Sequence, residues 1–162
     1  MYIFIDTNIF LKLIEGNKRE RERLKTLLNH AKNVGYTFTT SLTVYGETLS
    51  IGLTKKRKEE LHSMIELIRD LNIQCWTPNS QLRECCRCLD KIDKEDRVGP
   101  IDITHLAYSM TYNDDFFLTS DKDLLHFPLD KCKCNFKCGR KNKITGKIIS
   151  PDNLQRMLQK KK

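Results

Sequence analysis

A chain of 162 residues, 39% of them hydrophobic, can bury one core of ordinary domain size and is too short for two, so a single globular domain over 1–162 is expected. No apolar stretch nears the roughly 20 residues of a membrane span, and no basic-then-apolar leader opens the sequence, which excludes a membrane partner and points to the cytoplasm. The formal charge of +8, from 29 Lys plus Arg against 21 Asp plus Glu, favours a polyanionic partner.

Tyr2, Ile3, Phe4 and Ile5 form an unbroken apolar run, the pattern of a strand buried on both faces of a parallel sheet. Asp6 therefore stands at that strand's carboxyl end, where open α/β sheets place their functional crevice. Thr7 and Asn8 can cap the helix that follows, which is the purely structural reading of the triplet. Residues 8–32 have helical apolar spacing with a break at Gly16-Asn17, and Gly35 ends the run. Residues 36–40 (YTFTT) are β-prone, and Ser41 or Thr43 caps the next helix. Glu47 falls one turn inside it, with Val44 and Leu49 expected to face the core. Residues 54–71 predict a second helix, basic at its start and apolar at Leu61, Met64, Ile65 and Ile68, so that the two make a hairpin.

Residues 73–76 predict a strand, and Pro78 and Asn79 open a helix running to about residue 93. Gly99-Pro100 starts another over residues 101–112. Asp102 lies in its first turn, where the helix dipole favours a carboxylate without any further role. Phe116, Phe117 and Leu118 then form a strand, and Thr119-Ser120-Asp121 repeats the opening logic of an acid at a strand's end. Residues 130–146 are a basic, cysteine-rich insertion, residues 147–150 a last short strand, and Pro151 at the first helical position opens a terminal helix with a lysine-rich tail. The alternation predicts the α/β class, a central mainly parallel sheet with helices on both faces.

Seven cysteines without a secretory signal read as reduced thiols. Cys132, Cys134 and Cys138 are dense enough to raise a structural Zn2+ site, with a fourth ligand from Cys85, Cys86, Cys88 or His126. The spacing lacks paired C-x2-C arms, so free thiols are the favoured reading.

Asp6 and Asp121 at strand ends, with Glu47 and Asp102 near helix starts, can converge on one crevice. Several carboxylates within a few ångströms repel one another and take up protons unless a divalent cation neutralises them. Oxygen donors select hard ions, Mg2+ or Mn2+, which can activate a water and bind a phosphate. Asn8 can hold Asp6 in place, while Thr119 and Ser120 can orient Asp121. Lys55, Lys56, Arg57 and Lys58, together with Arg140 and Lys141, are the candidates for holding a nucleic-acid backbone. Residues 18–25 alternate with Glu20 and Glu22 and read as a solvated helix face. His105, three positions after Asp102, reads as structural because hard metals prefer oxygen, and Trp76 reads as core.

Five fragments carry a family resemblance: IDTN at 5–8, VYGE at 44–47, DITHLAYS at 102–109, TSDKDLL at 119–125 and ISPDNL at 149–154. In order and spacing they resemble the PIN domain, the metal-dependent nuclease fold of VapC-type toxins and RNA-processing enzymes. The resemblance implies a PIN-like α/β/α sandwich acting as a Mg2+- or Mn2+-dependent endoribonuclease, with Asp6, Glu47, Asp102 and Asp121 as catalytic and metal-binding acids. It implies supporting roles for Asn8, Thr119 and Asp123, an RNA substrate, a homodimer and, for a toxin, an antitoxin protein. The cysteine-rich insertion and the lysine-rich tail depart from the family pattern. The alternative is a catalytically inactive PIN-like module that binds RNA or protein. A phosphatase of the haloacid-dehalogenase kind begins similarly but needs Asp-x-Asp, and position 8 is Asn8.

Overall fold

The computed structural model describes residues 1–93, 97–132 and 147–160. The first strand, β1 (Tyr2–Ile5), buries three of its four residues. It hands directly to α1 (Thr7–Glu15), for which Asp6 is the N-cap, rather than Thr7 or Asn8. Asn17 and Glu20 form a reciprocal capping box that starts α2 (Lys18–Asn33), so the Gly16-Asn17 break divides two helices as expected. Gly35, at φ 90°, turns the chain into β2 (Thr37–Ser41). Ser41 accepts from the Val44 amide and caps α3 (Leu42–Thr54), which forms a hairpin with α4 (Lys58–Leu71).

The short β3 (Gln74–Trp76) leads to α5 (Leu82–Asp90). That helix starts later than its sequence predicts, because the Asn79 side chain accepts from the Gln81 amide and holds a turn there. Pro100 occupies the first turn of α6 (Pro100–Thr111), which is followed by β4 (Phe116–Leu118) and a single-turn α7 (Lys122–Leu125) that the sequence reading lacks. The last elements are β5 (Lys147–Ile149) and α8 (Pro151–Gln159), the latter again with Pro at its start. Cys134, Cys138, Arg140 and Lys141 lie outside the described residues.

The strands form a five-stranded sheet in the order β3-β2-β1-β4-β5, with every pairing parallel. From β1 the chain moves outward through β2 to β3, then returns across the sheet to β4 and β5. Right-handed crossovers therefore place α1 to α4 on one face and α5 with α6 on the other, giving an α/β sandwich. Phe4 and Phe117 stack across the central pair with centroids 5.3 Å apart at 8°.

Two apolar residues point the wrong way for the sequence reading. Leu49, expected to face the core, is 38% exposed, and Ile65, counted among the apolar positions of the second helix, is 50% exposed. On α3 the buried stripe runs Val44, Thr48, Gly52, at intervals of four, and Gly52 meets Leu61 of α4. On α4 the buried positions are Leu61, Met64, Leu67 and Leu71. Among the described residues, no helix is long and apolar enough to cross a membrane.

Candidate functional site

The chain leaves β1 toward one edge of the sheet and enters β4 on the other side of it, so the carboxyl ends of β1 and β4 flank a topological switch point. Open α/β sheets have their crevice there. Asp6 follows β1 and Thr119-Ser120-Asp121 follows β4.

Asp6 is fully buried, and its carboxylate is far from bare. Oδ1 accepts from the Thr7 amide at 2.8 Å and lies 3.1 Å from His105 Nδ1. Oδ2 accepts from the Thr119 hydroxyl at 2.8 Å and from the Asn8 amide group. Asn8 also donates to Thr119 Oγ1 at 2.7 Å and accepts from both the amide and the hydroxyl of Ser120, at 2.8 and 2.9 Å. Asn8, Thr119 and Ser120 thus tie the ends of β1 and β4 together. Thr119 Oγ1 also accepts from the Asp121 amide at 3.0 Å, while the Asp121 carboxylate caps α7 through the amides of Asp123 and Leu124. Asp123 itself is exposed, and only its backbone joins the network.

Glu47 approaches from α3. It accepts a 2.6 Å hydrogen bond from the Thr7 hydroxyl, and its carboxylate lies 3.7 Å from His105 Nε2. An ionised carboxylate can only accept, so His105 donates to Asp6 through Nδ1 and turns Nε2 toward Glu47. His105 is completely buried, and that Nε2 has no hydrogen-bond partner. The reading of His105 as merely a core residue misses this bridge. Its signal in the sequence is the Asp102 to His105 interval, which puts both on one side of a helix. Thr7 was missed as well, because its hydroxyl acts through a residue 40 positions away.

Asp102, half-buried in the first turn of α6, is the strained member. Burial pushes its carboxyl up to about 6; the charge of Asp6 adds to this, His105 opposes it, and Asp121 and Glu47 raise it further. Asp6, Asp121 and Glu47 thus all act on Asp102 within a single crevice. The tightest group is Asp6, Asp102 and His105, whose ligand atoms all lie within 4.8 Å of one another. Glu47 and Asp121 stand outside it. A divalent cation fits the carboxylates of this group, because it would relieve the repulsion at Asp102.

Other candidates stand elsewhere. Lys55 pairs with Glu15 at 2.6 Å and Arg57 with Glu60 at 3.4 Å, on the turn between α3 and α4. Glu15 ends α1, so this basic turn is about 13 Å along the helix from Asp6, at 1.5 Å per residue. Among the described residues no candidate metal group contains a cysteine, and Cys85 is buried while Cys86, Cys88 and Cys132 are half-buried. Trp76 stacks on Tyr112 at 4.3 Å and donates to Asp114, a structural role.

The fold and this crevice define a parallel α/β protein with an acidic, polar-braced centre at its switch point. The family model described as PIN domain matches residues 3–128, and the chain belongs to that family. Its fold is similar to a chain of VapBC2 from Rickettsia felis, solved with a DNA fragment from its promoter, at 18% identity and a TM-score of 0.58, covering 79% of this chain and 94% of that one. It is also similar to Mycobacterium tuberculosis VapC20, described as a Sarcin-Ricin loop cleaving toxin, at 17% identity and a TM-score of 0.57, covering 75% and 91%. VapBC-1 of nontypeable Haemophilus influenzae gives 16% identity and a TM-score of 0.54, covering 75% and 87%. No curated protein matches the chain by sequence.

Proposed function

We propose that the chain is a divalent-metal-dependent endoribonuclease of the cytoplasm, acting as one domain over 1–162, with Asp6, Glu47, Asp102 and Asp121 as its working acids. The observation that carries the proposal is the convergence of these acids on the switch-point crevice, with Asp102 held half-buried among the others. Asp6 and Asp102 would hold Mg2+ or Mn2+, with Glu47 and Asp121 completing the acidic wall. Such an ion, when bound, makes a water nucleophilic near neutral pH and offsets charge on a phosphodiester. The chain's own contribution is positional: Thr119, Asn8 and His105 fix the Asp6 carboxylate, and Thr7 fixes Glu47. Asp121, anchored as a helix cap, keeps one carboxylate oxygen clear of the Asp123 and Leu124 amides.

RNA as substrate is supported by the +8 charge and by the fold's similarity to a toxin described as cleaving the Sarcin-Ricin loop. A protein partner of the antitoxin kind, and a homodimer, belong to the same proposal. The VapBC assemblies share the fold, and α3 leaves Leu42, Leu49 and Leu53 on one exposed stripe.

Structured RNA incubated with the full chain and Mg2+ or Mn2+ should be cut, and EDTA should stop the cutting. The Asp6→Asn/Asp102→Asn variant should bind the same RNA without cleaving it. Equal cutting by the variant defeats the mechanism. RNA that stays intact with wild type while binding persists instead supports the inactive binding module.

A further inference from the structure

Beside the acidic crevice lies a second cavity, of about 350 Å³, between α1, α2, α7 and the start of α8. Its link to the site is Ser120, which lines the cavity and whose amide and hydroxyl both hold Asn8. Lys12 and Lys122 stand at its rim. Lys12 follows Asn8 by one helical turn and so shares its side of α1, while Lys122 directly follows Asp121. Both lysines are exposed, and neither has an acidic partner among the described residues. The floor is apolar, formed by Leu27, Leu125 and Pro151. The carboxylates nearby are already committed, Glu20 to the Asn17 amide and Asp152 to Arg23 at 2.8 Å.

We infer that this cavity is a subsite for one nucleotide of single-stranded RNA next to the cleaved bond, with Lys12 and Lys122 on the flanking phosphates and the base on the apolar floor. The inference rests on the endoribonuclease reading and adds to it the path of the strand. The volume sits at the low end of ligand pockets, roughly 300–1,000 Å³, enough for one nucleotide. The chemistry is complementary in both halves: an apolar surface covers a base without selecting its identity, and unpaired ammonium groups meet phosphates as point charges. Position decides between this cavity and the basic turn at Lys55 to Lys58, whose charges are partly spent on Glu15 and Glu60 and lie a helix length from Asp6. A strand reaching a repulsive acidic centre needs cations at its border.

The test measures binding of a short fluorescein-labelled single-stranded RNA of mixed sequence by anisotropy, in the non-cleaving Asp6→Asn/Asp102→Asn background. Adding Lys12→Ala and Lys122→Ala should weaken binding about tenfold. It should also make the plot of log K against log salt shallower by about 1.4, at roughly 0.7 for each single-strand phosphate that is no longer neutralised. Removing the same charge elsewhere, with Arg69→Ala and Arg83→Ala, should change binding by no more than about twofold and leave the slope intact. Leu125→Trp, which fills the floor, should weaken binding without altering the slope. Binding that ignores the two lysines, or falls equally in the arginine control, overturns the subsite. The two readings separate: wild type that cuts RNA with lysine-independent binding defeats the subsite alone, whereas lysine-dependent binding without any cutting upholds the cavity as a nucleotide site but defeats the nuclease, and with it the place beside a cleaved bond.

Discussion

Asp6 and Asp102 belong to one crevice and live in opposite electrostatic conditions. Asp6 has four donors around its two oxygens, while the Asp102 carboxylate accepts no hydrogen bond from the described residues and bears the repulsion of its neighbours. Replacing Asp102 by Asn should therefore stabilise the metal-free protein by about 1 kcal/mol at pH 8, a figure reduced for the half of the group that faces water, while abolishing cleavage. Urea unfolding in EDTA checks the first half and an RNA cleavage assay the second. His105→Ala should instead destabilise the protein, by about 2–3 kcal/mol, because it leaves a buried carboxylate short of a donor. A second buried acid gives a pH signature away from the site. Asp114 accepts from Thr39 at 2.9 Å and from the Trp76 indole at 3.3 Å, yet burial pushes its carboxyl up to about 7. A raised carboxyl stabilises the fold below the unfolded value and loses that contribution as pH rises toward 7. Unfolding free energy should thus fall by about 2 kcal/mol more between pH 5 and 8 in wild type than in Asp114→Asn. The acids were legible in the sequence because each stands beside a strand end or helix start; Thr7 was not, since its partner Glu47 is set by tertiary packing, and His105 showed only its three-residue interval from Asp102.

At the level of elements, the strands read well where sequence leaves no choice. Continuous apolar runs such as residues 2–5 and 116–118, rich in aromatic and β-branched residues, suit a buried parallel strand, and caps such as Ser41 and Pro151 marked their helices. Amphipathic faces read less well, because α3 carries apolar residues on two sides and only packing selects one. Val44, Thr48 and Gly52 face inward, leaving Leu49 outside. Gly52 is the reason α3 and α4 close so tightly. A Cβ there would lie 2.6–2.8 Å from the branched end of Leu61. Gly52→Ala should consequently lower stability by about 1–3 kcal/mol, despite its better helix propensity. Thermal melting reads this directly, and Leu61→Ala in the same chain should recover part of the loss. The single turn of α7 was not legible, being too short to show a period; its cap, Asp121, stood among the candidate acids instead.

For the whole molecule, the opposition of a basic surface and an acidic crevice predicts linkage to ions. Mn2+ at a hundred times its dissociation constant should stabilise wild type by about 2.7 kcal/mol, and Asp6→Asn/Asp102→Asn should show no such gain in calorimetry. The parallel sheet also has a consequence in time. Its central strand β1 is made first, yet one neighbour, β4, comes more than a hundred residues later, with Ile5 facing Leu118. Asp6 stays without His105 and Thr119 until both have been synthesised, and β4 itself gains its outer neighbour only at residues 147–149. A chain still on the ribosome thus carries the first acid long before it owns a centre. The proposed ribonuclease would in this way be harmless to the ribosome and message making it until its last strand is in place.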